Sequence, residues 1–218
     1  MLDVLNLAYL FIPNPNVICF PKQVVPWYQY ALLCNHIDLA EDCHRFIIWN
    51  FHKVASTEHF YDLEVPVLES FLVSSELVIS DEYALFELLA KWLRFSGKEM
   101  VEMDIPMEDI DLPIRVDDED ALHLLSLIRF PMMSLQHLIQ LQQEPLALHF
   151  KELFISSIEL AMKLHYCSLE ERCTHVPQKR NYLIEPRNYL NDTWSTNLCI
   201  NEFSNMSLFN KQTHVFSR

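Results

Sequence analysis

Glycine is nearly missing from this sequence: Gly97 stands alone among 218 residues. Average usage would place roughly 15 in a chain of this length. Phosphate-cradling loops, propeller blades and tight hairpins need glycine for positive φ or close backbone approach, so these folds are nearly excluded. Bases are also scarce, with 16 Lys and Arg against 30 Asp and Glu and a net charge of −14. A nucleic-acid interface needs a basic patch that dominates its local field, and none is visible, so nucleic acid is not an expected partner. Long apolar runs are missing too. Met1 to Phe20 is broken by Asp3, Asn6, Pro13, Asn14 and Pro15, which makes it a poor signal peptide and too interrupted to span a bilayer. Taken literally, the chain starts in the cytosol. The alternative expectation is that residues 1–26 are the remnant of a preceding domain.

What the chain has in quantity is apolar side chain, at 50% of residues, arranged with helical period. Leu39, Cys43, Phe46, Ile47, Asn50 and Val54 fall on one face and predict a helix over about 39–55, with Asp38 capping its first turn and Glu41 three residues on. Pro66 suits the first turn of a short helix carrying Val67, Leu68, Phe71 and Leu72. Ser80 can cap a longer one, in which Asp81 and Glu82 complement the helix dipole and Leu85, Leu88, Leu89, Trp92 and Leu93 make the stripe. Gly97 follows where a left-handed C-terminal residue belongs. Later stripes run through Leu122, Leu125 and Ile128, then Leu135, Leu138 and Leu141, then Leu146, Phe150, Leu153, Phe154, Ile158, Ala161 and Leu164. The fold class expected is all-α, stacked antiparallel helical hairpins followed by an irregular or β-containing C-terminal segment. Phe46, Ile47, Phe71, Leu89, Trp92 and Leu153 are the candidate core, and Trp49 is expected to join them.

Between the stripes, residues 99–120 hold ten acids and the single base Arg115, which is nine of the fourteen net negative charges. Pro106 and Pro113 forbid one continuous helix, so this stretch reads as a solvated acidic spacer loop whose deletion over 100–119 leaves helical content nearly intact, with binding of a basic partner or Ca²⁺ as the alternative. An EF-hand loop needs a central glycine that is not there. The helical period stops after Tyr166. The domains expected are therefore 1–26, a helical domain 27–166 with its acidic loop, and a polar segment 167–218 with short β-like runs such as Leu198, Ile200 and Phe203.

Chemistry-bearing patterns are sparse. His165, Cys167, Cys173 and His175 cluster, but five residues separate the cysteines where structural zinc sites usually have two to four. A zinc site, a Cys167–Cys173 disulfide in an oxidising compartment, and ordinary core or surface residues all stay open, and no metal or cofactor is assigned. Two sequons, at Asn191 and Asn205, are glycan acceptors only if the protein is secreted. Glu41 with Asp42, and Asp81 with Glu82, sit at helix starts, where capping and dipole effects account for them. The ten His are scattered, and none forms a short-range nucleophile pattern, so an enzyme is not expected.

An ordered set of residues carries a family resemblance. Cys43-His44-Arg45-Phe46-Ile47, Asn50-Phe51 with Val54, Thr57, Phe60 and Leu63, and Phe71 through Ile79 come first. Glu82, Phe86, Trp92-Leu93 and Ile128-Arg129-Phe130-Pro131 follow. From Trp27 to Pro131 the chain resembles the BACK domain of BTB-BACK adaptor proteins. The resemblance implies a rigid all-α spacer between an oligomerising BTB module, missing from this chain, and a recognition module. Trp27 through Ala31, Trp49-Asn50, Leu164-His165-Tyr166, Pro186-Arg187-Asn188-Tyr189-Leu190 and Trp194 extend the likeness to the galectin-3-binding-protein-like branch of that family, whose C-terminal region is unlike kelch. That branch implies a non-enzymatic scaffold of protein partners in a secreted, extracellular glycoprotein. The alternative is a cytoplasmic cullin-3 ubiquitin-ligase substrate adaptor.

Overall fold

The structure is a computed structural model that describes residues 21–94, 114–168, 171 and 182–190. The body is all-α, and the C-terminal segment enters it without helical period. A first helix, α1 (Pro21–Leu33), pairs with α2 (Ile37–Trp49) as an antiparallel hairpin. Val24, Val25, Tyr28 and Ala31 of α1 are buried, so this helix crosses the boundary expected between residues 26 and 27. Its C-terminus needs a left-handed residue, and in a chain with one glycine Asn35 takes the role at φ 55°. The His36 N–H donates to the Ala31 carbonyl at 2.9 Å and the Asn35 N–H to Leu32 at 3.2 Å, which satisfies the carbonyls the helix end leaves over.

The helix expected over 39–55 starts at Ile37 and divides at Asn50, where φ −122° and ψ 27° leave the helical region before α3 (Phe51–Ala55). The Asn50 side chain donates to the Phe46 carbonyl at 3.0 Å, a local bond that competes with the backbone ladder. Asp38 lies inside the helix, so it is not the cap. A 3-10 turn (Glu58–Asp62) leads to α4 (Val65–Val73), with Pro66 in its first turn, and then to the short strand β1 (Val78–Ile79). The next helix, α5 (Glu82–Arg94), is capped by Asp81 rather than Ser80, its carboxylate accepting from the Ala84 N–H at 2.9 Å.

The acidic stretch is not solvated loop to its end. Asp117 accepts from the Asp120 N–H at 2.8 Å and caps α6 (Asp118–Ser126), so its last acids are the first turn of a helix, where negative charge meets the dipole. Ile114 and Val116 pack against the core, the Arg115 N–H donates to Leu93 at 2.9 Å, and the Arg115 guanidinium stands 4.3 Å over the Trp92 ring. Removing 100–119 would therefore cut into the body. Residues 99–113, with Gly97 before them, lie outside the described residues.

A 3-10 turn (Phe130–Met132) precedes α7 (Leu135–Leu141), capped by Ser134. The stripe expected as one helix from Pro145 divides at Phe150 into α8 (Pro145–His149) and α9 (Lys151–His165). A second strand, β2 (Asn188–Tyr189), pairs in parallel with β1, Val78 beside Asn188 and Ile79 beside Tyr189. The core runs continuously from Val24 to Ala161, with the Phe51–Phe60, Phe86–Phe154 and Phe130–Phe154 rings meeting edge to face. Ile47, Phe71, Leu89 and Trp92 are buried, while Phe46 and Leu153 are partly buried against the cluster. Trp49 departs from expectation at 58% exposed, because it sits one step around the helix from the buried Ile48. Among the described residues no helix is long and apolar enough to cross a membrane.

Candidate functional site

Glu82 explains itself locally as an acid in a helix first turn, yet it is wholly buried. The reason lies 105 residues further along the chain. Arg187 reaches into the body from the strand segment and its Nε–H donates to Glu82 Oε1 at 2.6 Å, both side chains fully shielded from solvent. The rest of its fork donates to two backbone carbonyls, Ser74 at 2.7 Å and Leu127 at 3.1 Å. Those carbonyls come from the loop after α4 and the end of α6, so one guanidinium ties three parts of the body together. The Tyr189 hydroxyl donates to the same Glu82 oxygen at 2.9 Å, and the Asn188 side chain donates to the Glu76 carbonyl at 3.0 Å. Burial and the adjoining Glu82 carboxylate push the Tyr189 phenol well above its ordinary range, which keeps it a donor.

A second arginine stands beside the first. The backbone N–H of Arg129 donates to Glu82 Oε2 at 3.1 Å, and its guanidinium donates to the Glu185 carbonyl at 2.7 Å and the Ser75 hydroxyl at 2.8 Å. Arg129 Nε is buried with no acceptor among the described residues. Burial first and the Arg187 charge second lower the Arg129 pKa, with Glu82 opposing both. The site thus holds two guanidinium groups against one carboxylate. Residues 182–190, expected in a separate polar segment, form a strap across the body, held by these bonds, by buried Leu183 and by the Leu190 N–H donating to Ile79 at 2.8 Å.

A different surface opens where α1 meets α2. A cleft of about 440 Å³ is lined by Leu32, Ile37, Ala40, His44 and Ile48 on one side and by Ser74 and Glu76 on the other. Leu33, the last residue of α1, is 87% exposed, and Ile37 in the cleft lining is 62% exposed, which makes the hairpin tip an apolar surface open to contact. His44 lies with its ring 5.1 Å from that of Phe71. Burial lowers its pKa below the ordinary 6.5, and Glu76 only partly restores it. The folded state therefore gives up this proton more readily than the unfolded chain. The stability this supplies is full above pH 6.5 and is lost as pH falls from there through the folded value. Melting curves should fall more gently between pH 6.5 and 5 for His44→Gln than for the parent.

The other expected sites are not drawn together. Cys167 is half-buried at the end of α9, while Cys173, His175, Asn191 and Asn205 lie outside the described residues. A ring nitrogen of His165 is 2.8 Å from the Met133 carbonyl, so that nitrogen is engaged by backbone. Burial, with Asp42 adding, pushes the Cys43 thiol up to about 11, so it is a small apolar core residue. Glu41 borders the cleft and Asp42 sits 3.4 Å from Arg45 at the surface. No group of three or more His, Cys, Asp or Glu among the described residues is placed to hold a metal.

The sequence has counterparts among known proteins. Residues 24–114 match the BACK family, "BTB And C-terminal Kelch". Over 186 residues the chain is 27% identical to BTB/POZ domain-containing protein 17 of Xenopus tropicalis, covering 82% of this chain and 34% of that protein. It is 29% identical to BTB/POZ domain-containing protein 17 of Mus musculus over 184 residues, 81% of this chain and 33% of the relative. Against galectin-3-binding protein of Bos taurus it is 25% identical over 212 residues, 96% of this chain and 34% of the relative. The chain spans about a third of the length of these curated relatives. No solved structure matches it. Over residues 24–114 the chain is thus similar to the BACK family, and over most of its length to BTB/POZ domain-containing protein 17 and galectin-3-binding protein.

Proposed function

We propose that this chain is the helical spacer of a non-enzymatic scaffold that works through protein contacts, and that the intact protein is an extracellular glycoprotein of the galectin-3-binding-protein kind. The observation that carries this reading is the reach of the likeness. Similarity to the bovine galectin-3-binding protein covers nearly the whole chain, well beyond the BACK match, and so includes the Arg187 strap. The Asn191 sequon immediately follows Leu190, which is half exposed at the end of the strap, and in a secreted protein it would be a glycan acceptor. Self-association would come from a BTB domain in the intact protein. The Cys167–Cys173 pair would then close as a disulfide.

The exposed hairpin tip of α1 and α2 favours a second reading, a cytoplasmic cullin-3 adaptor in which that apolar cleft receives a protein partner. Expression of the full-length transcript in cultured cells separates the two. The extracellular reading expects protein in the medium whose mobility shifts with glycosidase, and part of that shift lost in Asn191→Gln. Unglycosylated protein confined to the cytosol contradicts it and leaves the adaptor.

A further inference from the structure

The body around Glu82 reads the strap through its side chains more than its backbone. Arg187 is met by one carboxylate and two carbonyls, each on a different element, and Tyr189 by the same carboxylate. Backbone pairing is brief, two residues of parallel strand and the Leu190 N–H to Ile79. This is the arrangement by which a groove binds an extended peptide: strand addition for register, and a side-chain socket for identity. A guanidinium fork suits the socket better than an ammonium, because it presents donors in fixed directions to all three acceptors.

We propose that the Glu82 socket is a binding site for an extended peptide bearing Arg-x-Tyr, with Arg187-Asn188-Tyr189 as its resident ligand in cis. The resident ligand is held against opposition. Arg129 lies alongside: its guanidinium donates to the strap's own Glu185 carbonyl at 2.7 Å, but it also sets a second buried positive charge beside Arg187 in a site with one carboxylate. Repulsion between the two guanidinium groups offsets part of what these bonds contribute at the arginine position, which sets the strap to exchange with a competing peptide. The inference rests on this geometry and is independent of the compartment in which the intact protein resides.

A synthetic peptide of sequence Tyr182–Leu190 tests it. A tethered strap has an effective concentration of about millimolar, so several millimolar peptide is required to compete. With the full chain carrying Arg187→Ala, the peptide should raise the melting temperature in a saturable way, and a peptide with alanine at the arginine position should not. Arg187→Lys, which keeps a charge but loses the fork, serves as the milder vacancy if the alanine variant does not fold. In the unaltered chain, excess peptide should speed hydrogen exchange at the Leu190 amide, the donor to Ile79, and the alanine peptide should leave it unchanged. Absence of a melting shift in a folded variant, or an unchanged Leu190 exchange rate at saturating peptide, overturns the proposal. The exchange measurement decides by itself if neither variant folds.

Discussion

Replacing Glu82 with alanine should cost about 3–5 kcal/mol, the range seen when one partner of a buried ion pair is removed. The change takes away the acceptor for Arg187 Nε, the Tyr189 hydroxyl and the Arg129 backbone N–H at once. It leaves two guanidinium groups buried with no carboxylate between them, and uncompensated buried charge is the larger part of the cost. For a chain of this size each kcal/mol moves the midpoint roughly 2–4 °C, so a thermal melt should fall by about 6–20 °C. The pair is weak evidence for net stability even so, because swapping both partners for apolar residues of similar volume is often neutral. Glu82→Leu with Arg187→Met should accordingly be less destabilised than the sum of the two single changes, a non-additivity that a double-mutant cycle by chemical denaturation reads directly.

Truncating Trp92 to alanine should have a comparable effect, about 3–5 kcal/mol, by a different route. The ring is 1% exposed on the α5 stripe, in the last turn of the helix, so its loss opens a cavity that the rigid neighbours close only partly. The Arg115 guanidinium over its face loses its aromatic partner as well, although Arg115 keeps its bond to the Tyr61 carbonyl at 2.6 Å. The indole Nε1 has no acceptor among the described residues, so the truncation breaks no hydrogen bond and its cost is one of packing. Urea unfolding should show a lower midpoint with an unchanged slope. A variant that unfolds like the parent would mean that the α5 face is misassigned.

The two sites differ in how far the sequence revealed them. Trp92 belongs to a stripe with period 3.6, a signal contained within one helix, and the same kind of signal marked Ile47, Phe71 and Leu89. Where that signal failed, the cause was local geometry. Asn50 and Phe150 each interrupt what reads as a continuous stripe, and Trp49 shares the composition of the stripe but not its angle around the helix. The acids from Asp117 to Asp120 resemble the loop before them in composition, although an Asp cap followed by a first turn of acids is a readable helix start. Glu82 was hidden for a deeper reason. A helix dipole accounts for an acid at that position completely, and nothing in its neighbourhood announces a partner 105 residues away. Arg187 lies in a segment with no helical period, where its burial has no pattern to betray it. Family likeness picked out both residues without giving either a role, and only the fold joins them.

The claim on which this account turns is that the strap completes the helical body instead of merely following it. The most direct test compares two truncated chains, one ending at Tyr166 and one at Leu190, by calorimetric melting. The account predicts that the chain ending at Leu190 melts cooperatively and about 6–20 °C above the other, since only it can supply Arg187 to Glu82. Equal midpoints for the two chains would contradict it.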